Sequence, residues 1–416
     1  KYMKLTVYGS WHLAEVYAVG LCELGHEVRL VSESKVCQNY KQGKPPVFEP
    51  GIAEGIKKYT ESGNLSFSSN ITDTEQRTDI CFFAQDVNVV PAGVDMKDIE
   101  SHFEKVAKSG LFKIIIVSSQ TPIGTMRVWQ KKYKTLKIIY FPEFLRFGDA
   151  LKRFIEPDSI VLGGDEEAVK SILGLFDKIN SPKFCVTLEE AEMSKHAANI
   201  FVATTVSFIS ELTKLSEHFN INFEHIGQIL RADKRVGTKA YTLPGLGFAG
   251  TVERDFRVLF NVGKKLKIKF PMLRQIIAVN NEHNAFMEKE IRKHFKKMEG
   301  KKVGFLGATY KPFTSNMRGS LVEPLMKHLE KEGARVVLYD PLVEDNVYKV
   351  DSLEEVFSGA DAVVIAVGKK EFKEASYHKL IASMKKKIII DAANMFTKED
   401  AKKLHVDYSS IGRGKF

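Results

Sequence analysis

The sequence lacks paired cysteines and long apolar runs, and each absence excludes a class of protein. Its four cysteines, Cys22, Cys37, Cys81 and Cys185, show no paired spacing. We therefore expect buried free thiols, not a disulfide framework or a zinc site. No apolar run approaches the roughly 20 residues that cross a bilayer. Lys1 and Tyr2 precede Met3, and no secretory signal pattern follows, so we predict a cytoplasmic protein without a membrane partner.

The composition that is present is that of a globular protein with several domains. The chain has 416 residues, of which 44% are hydrophobic and 27% are charged, and this length predicts two or three domains. Lys and Arg exceed Asp and Glu by 62 − 52 = 10, but the basic residues are dispersed. Without a platform of interleaved aromatic and basic residues, we expect a solvated surface or a small anion in a local pocket, and no nucleic acid.

Strand-like and helical patterns alternate at both ends of the chain and enclose a helical middle. The first apolar runs predict a strand over Lys4–Tyr8, a helix over Leu13–Leu24 and a strand over Glu27–Ser32. A long helix is predicted from Leu188 to about His218, and helical periodicity continues through Arg274–Lys297. A second alternating unit begins at Lys302, and further strands are predicted over Lys137–Tyr140 and Arg335–Tyr339. The pattern predicts an α/β protein with two Rossmann-like, doubly wound parallel-sheet domains, 1–187 and 299–416, joined by a helical domain, 188–298.

The first strand-to-helix turn is the place where a dinucleotide would bind. Such a turn normally carries glycines that allow the backbone to approach the pyrophosphate. Here only Gly9 remains, followed by Ser10 and by Trp11 at the second glycine position. Glu33 follows the second strand, near the place of an acidic ribose ligand. The indole would fill phosphate space, so either this turn holds no dinucleotide in the usual pose or Trp11 must swing aside.

Several segments, taken in order, resemble the UDP-glucose/GDP-mannose (nucleotide-sugar) dehydrogenase family over nearly the whole chain. Single blocks of this kind are weak evidence, but an ordered series is specific. The matching blocks are Glu49-Pro50-Gly51, Phe141-Pro142-Glu143-Phe144-Leu145-Arg146, Ala191-Glu192-Met193-Ser194-Lys195 with Asn199, Asp233-Lys234-Arg235-Val236-Gly237, Gly304–Pro312, and Tyr339-Asp340-Pro341.

The resemblance implies oxidation of the C6 alcohol of a nucleotide sugar, most simply a UDP-sugar, with NAD as cofactor. In that family a cysteine forms a thiohemiacetal on the way to a carboxylate. Lys195 and Asn199 would hold the oxygen at C6, while Glu143 and Asp255 would handle water and protons. The resemblance further implies a homodimer, in which Arg235 reaches the partner's sugar site. The other implied substrate residues are Phe144, Leu145, Arg146, Tyr241, Gly247 and Lys311.

The departures from the family pattern cluster where the chemistry should be. The family's cysteine segment corresponds to Gly245–Asp255, which is one residue shorter here. Counting from its end places Thr251 at the cysteine position, and counting from its start places Val252 there. A threonine hydroxyl has no thiolate form and needs an adjacent base. Other departures lie on the cofactor and sugar sides, at Gln85, Gln120, Phe147 and Ala393; of these we assign Gln120 to the cofactor site with Gly9, Ser10, Trp11 and Glu33.

Three functions follow from these matches and departures. The first is a nucleotide-sugar dehydrogenase relative whose 6-dehydrogenase activity is impaired, lost or limited to a two-electron oxidation. The second is a non-catalytic protein that binds a nucleotide sugar or pairs with an active enzyme of polysaccharide synthesis. The third is a scaffold that binds neither ligand. Structural roles stay open as well: Glu143 could brace its loop, Arg254 and Asp255 could form an ion pair, and His12 and His196 could be packing or surface residues.

Overall fold

The computed structural model describes residues 2–73, 78–87, 89–90, 93–309, 312–317 and 319–414. Contacts between Cα atoms divide the chain into two compact units, of which the first runs up to Ala198 and includes Arg254–Lys269. The second comprises Asn199–Glu253 and everything from Phe270 onward. Two of the three boundaries fall inside helices, which contribute residues to both units, and the third lies between residues 269 and 270.

The first unit is built on an eight-stranded sheet with helices on both faces. Its strand order is β10-β9-β8-β7-β4-β1-β2-β3, and every pairing is parallel except that of β8 with β9. The strands, with a separate two-stranded ribbon β5–β6, are β1 Lys4–Tyr8, β2 Glu27–Val31, β3 Leu65–Ser68, β4 Ile80–Phe83, β5 Val89–Val90, β6 Gly93–Val94, β7 Ile114–Val117, β8 Lys137–Tyr140, β9 Ile160–Gly163 and β10 Lys183–Val186. The helices are α1 His12–Glu23, α2 Ser34–Lys41, α3 Ile52–Glu61, α4 Met96–Lys108, α5 Thr125–Lys132, α6 Ala150–Ile155 and α7 Glu166–Ile172.

Strand alternation explains why this sheet has a core on each face. In β1, Leu5 and Val7 face one buried cluster, while Tyr8 contributes to the cluster on the other face. Such two-sided burial is typical of parallel strands covered by crossover helices. The helices α1 and α6 cover the first face so closely that a Cβ at Gly20 would lie 2.2 Å from the ring of Phe154.

The helical middle of the chain begins with a helix of 26 residues, α8 Leu188–Thr213. It is followed by α9 Ser216–Phe219, α10 Phe223–Ala232, α11 Thr251–Leu266, α12 Pro271–Asn284 and α13 Phe286–His294. The helix predicted over Leu188–His218 therefore ends five residues early. The periodicity predicted over Arg274–Lys297 covers parts of two helices, which are separated at Ala285.

The second unit also contains a parallel sheet, with strand order β12-β11-β13-β14-β15. Its elements are β11 Lys302–Leu306, α14 Val322–Lys331, β12 Arg335–Tyr339, α15 Leu353–Phe357, β13 Ala362–Ile365, α16 Lys370–Glu374, α17 Tyr377–Ala382, β14 Ile388–Asp391, α18 Lys398–Lys403 and β15 Asp407–Ser410. The predicted fold class, two Rossmann-like sheets with a helical central region, is confirmed.

Within the described part of the chain, no helix combines the length and apolarity that crossing a membrane requires. Cys22, Cys37 and Cys81 are buried free thiols, as predicted. The prediction was wrong for Cys185, which is exposed. Cys185 lies on β10, and because β10 is the last strand of its sheet, only one neighbouring strand flanks it.

Candidate functional site

The sheet order identifies the edge of the first unit at which a ligand would bind. The chain runs from β1 through β2 to β3 on one side, and β4 lies on the other side of β1. This reversal creates a crevice outside the carboxyl ends of β1 and β4, which is the usual ligand position in open parallel sheets. The turn that begins at Gly9 follows β1, and Gln85 lies just after β4.

Gly9 is required by the packing of this turn. A Cβ on Gly9 would lie 2.5 Å from the carbonyl oxygen of Ala84 and 2.9 Å from the Cβ of Ala14. A side chain here would therefore collide with the end of β4 and with α1. The glycine explains how the three elements meet, and this reason is independent of any cofactor. Ser10 joins the turn to the next strand, because its hydroxyl accepts a hydrogen bond from the Glu33 backbone N–H at 3.2 Å.

Trp11 belongs to an aromatic cluster beside the phosphate turn. It precedes α1 in extended conformation, and no side chain caps the helix there. Its ring lies 5.9 Å from that of Phe147 in an edge-on arrangement. The His12 ring lies 4.2 Å from Phe147. We call Trp11, His12 and Phe147 the aromatic cluster; Phe147 thus contacts the turn from the loop that follows β8.

A buried carboxylate anchors this cluster. Glu49 Oε2 lies 2.9 Å from His12 Nε2, and Glu49 also accepts hydrogen bonds from the backbone N–H groups of Gly148 at 3.0 Å and Ala150 at 2.9 Å. Glu49 is 2% exposed and His12 is 6% exposed. Because Phe147 directly precedes Gly148, Glu49 fixes both sides of the contact between His12 and Phe147. His12 is therefore a buried structural residue.

Glu15, one turn into α1, is a carboxyl group buried without hydrogen-bond partners. It is 0% exposed, and neither carboxylate oxygen has a partner among the described residues. Burial raises the pKa of Glu15 well above its ordinary value, and the nearby charge of Glu49 raises it further, against a smaller opposing effect of the Tyr40 hydroxyl. Glu15 therefore keeps its proton in the folded protein at a pH where the unfolded chain has lost it.

We expect Glu15→Gln to raise the free energy of unfolding increasingly as pH rises above about 4.5, the ordinary pKa of glutamate. The unfolded wild-type chain then binds fewer protons than the folded one, so wild-type stability falls with rising pH, whereas the amide does not titrate. Urea denaturation across a pH series measures the difference. Glu61→Gln, at the exposed end of α3, is the control without this trend. A Glu15→Gln difference that stays constant with pH would contradict the assignment.

Lys195 and Glu143 form an ion pair that brings α8 and the loop after β8 together. Lys195 Nζ lies 3.4 Å from Glu143 Oε2, and the side chains are 7% and 21% exposed. The same ammonium lies 5.6 Å from the centre of the Phe144 ring. Attraction between a cation and an aromatic face adds to the ion pair. The partly exposed carboxylate leaves this pair accessible to a small molecule.

A second, fully buried polar network connects α8, α11 and the loop after β7. Asp255 Oδ1 lies 2.7 Å from His196 Nδ1, and His196 Nε2 lies 3.2 Å from the carbonyl oxygen of Thr121. The Gln120 side chain bridges the network: its amide nitrogen contacts Asp255 Oδ1 and its oxygen contacts Arg254 Nη2. All four side chains are at most 7% exposed. His196 is thus neither a surface residue nor a simple packing residue.

The third carboxylate of the site is that of Glu192, which lies on α8 near this network. Glu192 is 0% exposed and accepts hydrogen bonds from the backbone N–H groups of Gly124 at 2.7 Å and Met126 at 2.9 Å. Burial raises its pKa to about 7, while those two hydrogen bonds oppose the rise. Its role is to cap the first turn of α5, which Gly124 precedes, because a carboxylate is favourable at a helix N-terminus.

In the second unit, three side chains of α12 hold the loop at residues 245–248. Gly247 N–H donates to Asn284 Oδ1 at 2.9 Å, and Phe248 N–H donates to Asn280 Oδ1 at 2.8 Å. His283 Nε2 lies 2.7 Å from the Gly245 carbonyl oxygen. A Cβ on Gly247 would lie 2.2 Å from Asn280 Oδ1, so a larger residue here would displace the amide that holds the loop. This loop leads into α11, whose first residue is Thr251.

The second sheet has its own crevice, outside β11 and β13, where a buried ion pair lies. Lys369 Nζ lies 3.1 Å from Asp340 Oδ1, and the side chains are 3% and 0% exposed. The ammonium also donates to the Pro312 carbonyl oxygen at 3.0 Å and to the Thr309 hydroxyl at 3.3 Å. Asp340 in turn accepts from Ala308 N–H at 2.8 Å. One lysine therefore connects the loops that follow three neighbouring strands.

Comparison with known families accounts for both crevices. Models of the UDP-glucose/GDP-mannose dehydrogenase family match in the same order as the domains: its NAD binding domain over residues 3–179, its central domain over 189–282 and its UDP binding domain over 304–398. The chain belongs to this family. The family resemblance inferred from the sequence is thereby confirmed.

Individual members of the UDP-glucose/GDP-mannose dehydrogenase family are similar over their full length. The chain is 28% identical to UDP-glucose 6-dehydrogenase YwqF of Bacillus subtilis, covering 99% of this chain and 98% of that protein. A UDP-glucose dehydrogenase structure from Pyrobaculum islandicum matches with TM-score 0.87 and 25% identity, over 99% and 97% of the two chains. A UDP-D-ManNAc dehydrogenase structure from Pyrococcus horikoshii has the same fold, with TM-score 0.86, 23% identity and 99% coverage of each chain.

The predicted site residues occupy several distinct places. Glu143, Lys195 and Asp255 lie in the polar clusters of the first unit, and Gln120 lies in the same network as Asp255. Phe144 and Leu145 line a cleft in this unit, and Arg146 follows them in the same loop. Glu33 is exposed at the start of α2. Lys311 lies outside the described residues.

The predicted residues of the second unit are more exposed. Asn199 lies on α8, four positions after Lys195, and is half-buried. Arg235 has an 89% exposed side chain, which is paired with Asp233 at 2.6 Å. Tyr241 is 39% exposed. These positions suit contact with a ligand or a second chain.

Sequence patterns did not identify Glu49, His12 and Lys369 as organising residues, although Glu49 lay in a matching block. Glu49 and Lys369 could have been noticed in the sequence because each is a charged residue in a segment of apolar and turn-forming residues. In the described part of the chain, no three His, Cys, Asp or Glu side chains come together as metal ligands.

Proposed function

We propose that this protein binds a nucleotide sugar, most simply a UDP-sugar, and that its 6-dehydrogenase activity is impaired, lost or limited to one two-electron oxidation. The observation that carries this proposal is a polar site without a thiol. The Glu143–Lys195 pair and the Asp255 network are assembled, whereas the sequence has no cysteine after Cys185. The helix α11, which follows the family's cysteine segment, begins at Thr251.

The chemistry of the site accounts for a limit at the aldehyde. Oxidation of a C6 alcohol removes one hydride and one proton and yields an aldehyde. The second oxidation in this family requires a thiolate that adds to the aldehyde, and a threonine hydroxyl does not ionise near neutral pH. In our proposal Lys195 and Asn199 hold the oxygen at C6, and Glu143 and Asp255 handle protons and water. Oxidation through an aldehyde hydrate would reach the carboxylate without a thiol, and formation of that carboxylate would contradict the proposed limit.

The turn after β1 fits NAD only in part. Glu33, next to the Ser10 hydroxyl, suits the ribose, and the uncapped N-terminus of α1 suits a phosphate. The Trp11 ring, supported by Phe147 at 5.9 Å, does not suit the close approach of a pyrophosphate. NAD would supply the hydride acceptor when bound. We propose that the affinity of this turn for NAD is low.

The substrate side of the proposal rests on the second unit and on the loop after β8. Phe144, Leu145 and Arg146 would contact the base or the sugar, with Tyr241, Gly247 and Lys311. Arg235 would act across a homodimer. Exposed aromatic side chains on α8 and α9 support such a dimer, since Phe201, Phe208 and Phe219 are 71%, 55% and 71% exposed and exposed apolar groups mark contact surfaces. We place the protein in polysaccharide synthesis in the cytoplasm.

The proposal predicts that the purified protein produces no uronic acid from any nucleotide sugar. With NAD+ and UDP-glucose, UDP-N-acetylhexosamines or GDP-mannose, we expect at most one NADH per sugar, with the aldehyde trapped as an oxime and identified by mass spectrometry. Cys185→Ser should behave like the wild-type protein. Two NADH per sugar with formation of a uronate would refute the proposal, and if Cys185→Ser abolished that activity, Cys185 would be the nucleophile.

A non-catalytic role is the second candidate, and the aromatic cluster at the phosphate turn favours it. A protein that binds a UDP-sugar but not NAD+ could still act as a partner subunit for an active enzyme. Thermal shift distinguishes the two functions: stabilisation by a UDP-sugar alone supports the non-catalytic role, and a clear shift with NAD+ counts against it.

A further inference from the structure

The proton positions in the network around Asp255 follow from what each side chain can donate. The guanidinium of Arg254 is only a donor, so the Gln120 atom that faces it must be the amide oxygen. The amide nitrogen of Gln120 then faces Asp255 Oδ1 and donates to it. This assignment comes from the network and fixes the amide orientation without observed hydrogens.

His196 is constrained by the same logic on both sides of its ring. Nδ1 lies 2.7 Å from Asp255 Oδ1, and Nε2 lies 3.2 Å from the carbonyl oxygen of Thr121. A carbonyl oxygen only accepts, so Nε2 carries a proton. Asp255 Oδ1 already accepts from Gln120, so a proton on that oxygen would be unfavourable, and Nδ1 must donate as well. A neutral imidazole has only one N–H.

We propose that His196 is a doubly protonated imidazolium that holds Asp255 as a fixed carboxylate at the candidate site. His196 acts as a positioning residue. The Asp255 oxygen Oδ1 accepts hydrogen bonds from Gln120 and His196, which makes this oxygen a poor acceptor for the substrate proton. This refines the proposed function, on which the catalytic consequence rests. Asp255 fixes the network, and the transfer of the substrate proton is assigned to Glu143.

The network around Asp255 carries more positive than negative charge. Arg254 and His196 carry two positive charges against one negative charge on Asp255, and all three side chains are at most 7% exposed. Electrostatic interactions are stronger in such a poorly solvated environment than in water. His196 directly follows Lys195 in α8. The surplus positive charge would stabilise the negative charge that develops on a C6 oxygen held by Lys195.

Buried polar atoms without described hydrogen-bond partners lie near the Asp255 network. Arg254 Nε, the Thr121 hydroxyl and the Tyr140 hydroxyl are buried without hydrogen-bond partners among the described residues. Burial raises the pKa of Tyr140, and the charges of Glu192 and Asp255 raise it further, which places this hydroxyl within the field of the network. A buried donor without a partner is costly, and these atoms are suited to ordered water beside the imidazolium.

The decisive measurement is the protonation of His196 in the wild-type protein without ligand. With 15N-labelled histidine, one of the eleven histidines should show protons on both ring nitrogens at neutral pH, and His196→Asn should remove that signal. If His196→Asn does not fold, neutron diffraction of wild-type crystals locates the two deuterons directly. A proton on only one ring nitrogen overturns the proposal. Because no substrate or cofactor is present, failure of the proposed dehydrogenase activity does not affect this result.

If the protein oxidises a nucleotide sugar, two variants of His196 distinguish positioning of Asp255 from structural support alone. The amide of Asn reaches the place of Nδ1, so His196→Asn keeps the donor to Asp255, whereas the longer His196→Gln keeps only the donor to Thr121. We expect His196→Gln to lower kcat at least about tenfold with little change in KM, and His196→Asn to recover most of the loss. Equal kcat in both variants would overturn the positioning role.

Discussion

Replacing Trp11 by glycine is expected to increase the affinity for NAD+ by at least about tenfold, which corresponds to about 1.4 kcal/mol. The indole lies on Phe147 beside the uncapped N-terminus of α1, where a pyrophosphate would accept hydrogen bonds from backbone N–H groups. A glycine permits the close backbone approach that the indole prevents. Isothermal titration calorimetry of NAD+ with the wild type and Trp11→Gly measures the effect directly.

The matched control for this prediction is Trp11→Phe, which retains an aromatic ring above the turn and should keep the weak affinity of the wild type. Fold integrity is not expected to limit the test, because Trp11 is half-buried and glycine is acceptable at a helix N-cap. Equal NAD+ affinity of the wild type and Trp11→Gly would show that the indole does not obstruct the site.

Removing the ammonium of Lys369 is expected to lower the free energy of unfolding by about 3–5 kcal/mol. In Lys369→Met the carboxylate of Asp340 stays fully buried but loses its counter-charge, and the carbonyl oxygen of Pro312 loses a donor. Leaving a buried charge unpaired costs far more than the net contribution of the intact pair. Urea denaturation followed by circular dichroism measures the change.

The neighbouring Lys370 is the control for this second prediction. Its side chain is 79% exposed and pairs with Glu374 four residues later on α16. Lys370→Met should change stability by no more than about 0.5 kcal/mol, as is usual for surface substitutions. If Lys369→Met were as stable as Lys370→Met, the buried pair would not hold the three loops together. A lower affinity for UDP in Lys369→Met would further support a role in the UDP binding domain.

The secondary structure near each end of the chain was predictable because the patterns that specify it are local. The strands Lys4–Tyr8, Lys137–Tyr140 and Arg335–Tyr339 have the predicted bounds, since short apolar runs bounded by turn residues leave little choice. Strands β3, β5, β6, β9, β10 and β15 were not predicted. In β10 three of four residues are exposed, so this strand does not follow the pattern of a buried parallel strand.

The candidate site was predictable only in part. Matching motifs named Glu143, Lys195 and Asp255, and the structure assembles Lys195 with Glu143. The partners of Asp255 were not foreseen, because His196 is 59 residues and Gln120 is 135 residues away in sequence. Gln120, assigned to the cofactor from its position after β7, bonds to Asp255 and Arg254. Its cofactor role stays a prediction, as do the bounds of the three domains.

The presence of Trp11 in the turn is known from the sequence, and its contacts are known only from the tertiary structure. The sequence alone determined the alternation of strands and helices at both ends of the chain, the family, and the presence of an indole where a glycine is expected, because each is carried by neighbouring residues. Only the tertiary structure decided that Phe147 and the His12–Glu49 pair hold that indole in place, and that His196 meets Asp255. These contacts depend on the sheet order, which brings the ends of distant strands to one edge, and local periodicity does not encode that order.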